Sequence, residues 1–100
     1  MEAGKQEREK GTMIEVKSLG NGLFQVRVID GNEETRHSVS LEEADYQRLS
    51  EGRVAPEELV RRSFEFLLER EPKEAILKTF FLRVIGDYFP EFENEIRRRT

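Results

Sequence analysis

The chain has a single histidine, His37, and it is the natural place to look for chemistry. A general base needs a carboxylate to orient it and a substrate to act upon. Asp45 or Asp87 could supply the carboxylate, but no serine, threonine or cysteine motif accompanies His37. It therefore reads as a structural histidine bonded to backbone, and a small enzyme centred on it is the third of three functional readings. A metal centre is disfavoured too: there is no cysteine, and the carboxylates are spread along helices instead of gathered in a loop. No cofactor motif is present. Gly20-Asn21-Gly22 lacks the lysine and the strand-to-helix setting of a phosphate loop, and a hairpin turn accounts for it.

The arginines offer a second chemistry. Arg97-Arg98-Arg99 could grip phosphate, with Arg61 and Arg62 as helpers, and salt-sensitive binding would be its mark. The net charge of −4 works against a broad nucleic-acid footprint. Cations at a helix C-terminus also complement its dipole. Pairs such as Glu57–Arg61, Glu58–Arg62 and Glu95–Arg99 stand four apart with the acid first, the order that supports a solvated helix. A DNA-reading helix over 82–89 would present only Arg83 and Asp87, and the aspartate would repel phosphate. A nucleic-acid-associated regulator is thus the second reading.

The first reading comes from the aromatic residues crowded into 64–92. Phe64, Leu67 and Leu68 lie on one helical stripe, but Phe66 lies off it. Phe81 and Val84 likewise diverge from the stripe of Leu82, Ile85 and Tyr88. Each such side chain left in water forgoes roughly 1.5–3 kcal/mol of burial. Either the central helices are sandwiched, or Phe66, Phe81 and Val84 form a surface that binds a protein partner or a second copy. The expectation is a non-enzymatic interaction or regulatory module.

The elements that position these residues follow from periodicity. Residues 1–12 are polar and charged with no apolar period, and read as a mobile tail; 13–100 read as a single domain. Ile14 and Val16, then Phe24, Val26 and Val28, alternate with polar residues as half-buried strands do. Asn21-Gly22 and Asp30-Gly31-Asn32 mark tight turns, and a third strand follows over 34–39. Ser40 and Glu43 have capping-box spacing for a helix ending near Ser50, with Leu41, Ala44 and Leu49 inward. Pro56 suits the first turn of a longer helix carrying Leu59, Val60, Ser63 and Phe64, and Pro72 must end it. Shorter helices over 73–79 and 82–89 and a terminal helix after Pro90 complete the chain, with Tyr88, Phe92 and Ile96 inward. Gly86 inside a helix points to close packing against a neighbour. The fold class is α+β: a three-stranded antiparallel meander followed by four to five helices packed on one face.

Several stretches carry a resemblance: His37-Ser38-Val39-Ser40-Leu41, Tyr46-Gln47-Arg48-Leu49, the run from Glu58 to Pro72, and Ile85-Gly86-Asp87-Tyr88-Phe89-Pro90-Glu91. Together they resemble a group of short bacterial proteins with no assigned activity. That resemblance implies a bacterial, cytoplasmic, single-domain protein and carries over no functional residue. No apolar run approaches the length of a membrane span, and the N-terminus lacks the apolar core of a signal peptide.

Overall fold

The computed structural model describes residues 11–100. The expected mobile tail falls mostly outside the described residues; at its inner boundary, Thr12 already belongs to the first strand. Strands β1 (Thr12–Gly20), β2 (Leu23–Asp30) and β3 (Glu33–Ser40) form the antiparallel meander. The first hairpin turns on Asn21 and Gly22, both at positive φ, the geometry a two-residue hairpin loop requires. Gly22 cannot be replaced cheaply: a Cβ there would sit 2.6 Å from the Leu41 carbonyl oxygen.

One face of the meander is dry and the other wet, as an antiparallel sheet permits. Val26, Val28 and Val39 are fully buried, and His37 shares their side of the sheet. The opposite face carries Arg27 between Glu15 and Glu34. The Arg27 and Arg36 guanidinium groups lower the Glu34 carboxyl to about 2.

Two helices follow, α1 (Glu43–Ser50) and α2 (Pro56–Leu68). The expected capping box does not form. Ser40 is still in β3, paired with Leu23, so the helix begins later, after Glu42, without a side-chain cap. Ala44 is consequently exposed, and Asp45 takes the buried position, held by Arg48 and Arg83.

The main departure comes next. Where a helix over 73–79 was expected, the chain makes a single 3-10 turn, Lys73–Ala75, and then a fourth strand, β4 (Thr79–Phe81). It lies parallel to β3 with Val39 opposite Phe80. The sheet is therefore mixed, with order β1-β2-β3-β4, and not a meander alone. A second 3-10 turn, Leu82–Val84, leads into α3 (Ile85–Tyr88), and α4 (Phe92–Arg98) ends the fold. Among the described residues there are four α-helices, two of them short, within the expected four to five.

The core runs through both layers. Phe64 of α2 faces the sheet, its ring 5.3 Å from His37 and 6.0 Å from Phe80. Gly86 borders open space, so close packing is not the reason for it. No helix among the described residues is long and apolar enough to cross a membrane.

Candidate functional site

The three aromatic and aliphatic candidates do not form one surface. Phe66, expected to meet a partner, is fully buried. Helix α2 is sandwiched, and its second face points Phe66 at Phe92 and Phe89, with ring centroids 5.2 and 6.0 Å away. The Arg70 guanidinium closes over the ring at 3.7 Å. Phe81 alternates outward from β4 and is 40% exposed, beside Gly22 and Leu41 and beneath the guanidinium of Arg83 at 4.6 Å. Val84 lies apart, half-buried in the wall of an apolar groove.

That groove is a concave, mostly apolar feature. Its floor is Leu67 at the end of α2, Phe80 of β4 and Ile85 of α3, and its rim is Leu77, Tyr88 and Glu71. It encloses about 140 Å³, close to the ~150 Å³ of a dry cavity that admits benzene. Leu77 is 45% exposed and Tyr88 64% exposed. Tyr88 was expected inward; because α3 is only one turn long, its stripe never develops and the ring swings out to the rim.

His37 builds this rim. Its Nδ1 lies 2.7 Å from the Leu77 carbonyl oxygen, and its Nε2 lies 2.9 Å from the Thr35 hydroxyl. A carbonyl can only accept, so Nδ1 carries the hydrogen and donates to Leu77. The neutral ring's Nε2 then accepts from Thr35. Ser38 adds a backbone bond, donating to the Lys78 carbonyl at 2.7 Å. These bonds clamp the 77–78 backbone to β3 while the Leu77 side chain faces water. Burial pushes the His37 imidazole below its ordinary value, and Lys78 adds to that, against the Leu77 carbonyl. With both nitrogens bonded and the residue buried, the ring does not present a base to solvent. Neither candidate carboxylate serves it in these bonds: Asp45 holds two arginines, and Asp87 is exposed on α3.

The arginines are occupied. Arg99 reaches Glu69 at 2.8 Å, Arg98 reaches Glu95 at 3.1 Å, and Arg97 bonds the Arg48 carbonyl at 3.3 Å. Arg61 and Arg62 both hold Glu58, lowering its carboxyl to about 2. Each positive charge of the cluster is therefore met by acceptors of the chain itself. Among the described residues no three metal-ligating side chains gather.

The chain matches no family model, no curated protein and no solved structure. Geometry alone carries the functional reading. Sequence reasoning reached Val84 but missed Leu77 as a rim residue. The only signal for it was the pair of β-formers Phe80-Phe81, which a strand reading would have split between two faces.

Proposed function

We propose that the protein is a small non-enzymatic interaction module that receives an apolar side chain of a protein partner in the groove beside Val84. One observation carries the reading: two large apolar side chains, Leu77 and Tyr88, stand in water on the rim of an apolar concavity. Such side chains gain by being covered. Short helix-in-groove contacts are anchored in this way, by one or two side chains seated in a pocket and a polar rim around them. His37 serves the same end by fixing the backbone that carries Leu77.

The reading is tested with a displayed library of random twelve-residue peptides, selected on the wild-type chain and counter-selected on a Leu77→Asp, Tyr88→Asp variant. Both positions are exposed, so the variant should fold. The expected result is a family of peptides sharing an aromatic or leucine anchor, with binding lost at least tenfold on the variant. Selection of no groove-dependent sequence would sink the reading.

A further inference from the structure

Strand β1 is an edge of the sheet, with β2 on one side and no described strand on the other. Edge strands are normally blunted by proline, by lysine or inward-pointing charge, by a β-bulge or by a covering element. β1 has no proline, its charged side chains Glu15 and Lys17 lie on the wet face, and its one bulge, between Ser18 and Gly20, is confined to the hairpin end and leaves 12–18 regular. Its inward residues are incompletely covered: Ile14 and Val16 are only partly buried, while their β2 partners Val28 and Val26 are wholly so. Its outward residues include two of the chain's exposed large apolar side chains, Met13 at 52% and Leu19 at 51%.

The order of residues along β1 is self-complementary in one register. In a two-fold antiparallel pairing centred on Val16, Glu15 faces Lys17 of the second copy and Lys17 faces its Glu15, both within the regular part of β1 that precedes the irregularity between Ser18 and Gly20. Shifting the centre to Glu15 or to Lys17 sets like charges opposite each other, which destabilises a ladder. Lys17 makes no ion pair among the described residues, while Glu15 already holds Arg27 at 2.6 Å. In the centred register Glu15 would lie between two cations, Arg27 on its own chain and Lys17 on the other.

We propose that two copies of this chain join β1 to β1, antiparallel and centred on Val16, into one continuous sheet. The pairing satisfies the edge backbone groups and completes the cover over Ile14 and Val16. It uses a different surface from the groove, so either idea can fail without the other.

Two single charge reversals of the full chain test it. Glu15→Lys and Lys17→Glu each set like charges across the two-fold axis, so each alone should dissociate, with a dimer Kd raised roughly tenfold or more. Mixed together they restore both opposite-charge pairs and should form a heterodimer. Light scattering across a concentration series reads the mass against the 11.8 kDa chain, and circular dichroism confirms that each variant is folded. The expected pattern is dimeric wild type, monomeric single variants and a dimeric mixture. A monomeric wild type at millimolar concentration overturns the proposal, as do variants that dimerise as well as wild type or a mixture that fails to associate. The Leu77→Asp, Tyr88→Asp variant should dimerise normally.

Discussion

Helix α2 has two buried faces built on different principles. On the sheet side, Phe64 sits between His37 and Phe80, which are both on strands whose backbones are locked by ladders. On the other side, Phe66 sits among Phe89, Phe92 and the guanidinium groups of Arg70 and Arg99, supplied by short helices and flexible charged chains. The first face is walled by backbone; the second is closed by side chains that can move. The two should therefore answer differently to the same injury.

Truncation gives the largest effect. Phe64→Ala and Phe66→Ala both remove a fully buried ring, for which the loss is about 3–5 kcal/mol. The cost depends on how far the cavity can collapse. We expect Phe64→Ala near the upper end, because strands cannot close in, and Phe66→Ala near the lower end, because α3, α4 and the arginines can. Urea unfolding with matched m values measures the gap. Equal losses would show that the second face is as rigid as the first.

A pH series sharpens the same comparison through smaller effects. His37 has a folded value below its ordinary 6.5, so below about pH 6.5 the unfolded chain takes up the proton first. Its contribution is full above that pH and declines as pH falls toward the folded value. On the outer surface of α2, Glu58 is lowered from 4.5 to about 2, so its contribution is lost in a separate window, as pH falls from about 4.5 toward 2. In His37→Gln the amide can still donate to Leu77 but does not titrate. The stability gap between wild type and His37→Gln should narrow from pH 7.5 to pH 5.5; a widening gap would contradict the buried neutral ring. Glu58→Gln should leave that window unchanged and flatten part of the acid limb.

What could be read from the sequence divides along the same line. The meander was legible because a two-residue period and an Asn-Gly turn each demand one local geometry. The inward stripe of α2 was legible for the same reason, through Leu59, Val60, Ser63 and Phe64. Strand β4 was not, since Thr79–Phe81 is too short to show a period and its partner β3 lies two helices back in the chain. Missing it left Leu77 unread as a rim residue, while Tyr88 was placed inward on a stripe that the one-turn α3 is too short to form. Phe66 was misread as a surface candidate because an off-stripe residue signals either a partner or a second internal layer, and only the positions of Phe89 and Phe92 decide between them. His37 was legible as a structural residue, but its bond to Leu77 spans a distance in sequence that no local pattern encodes.

The smallest expected effect separates charge from cover at Phe66. Arg70 pairs with Glu91 at 2.9 Å and stacks on the Phe66 ring at 3.7 Å. An exposed ion pair contributes about 0–1 kcal/mol, and an arginine over a ring about 0.5–1 kcal/mol at an exposed site. Arg70→Met keeps an apolar chain over the ring while removing the charge; Arg70→Ala removes both. If the guanidinium acts mainly as a lid, Met should cost under about 0.5 kcal/mol and Ala about 1 kcal/mol or more, with little dependence on salt. If it acts mainly through charge, the two substitutions should cost the same, and high salt should bring wild type down toward both. The first outcome fits a face sealed by whatever chain lies across it, which is why Phe66 can stay dry beneath a layer of polar residues.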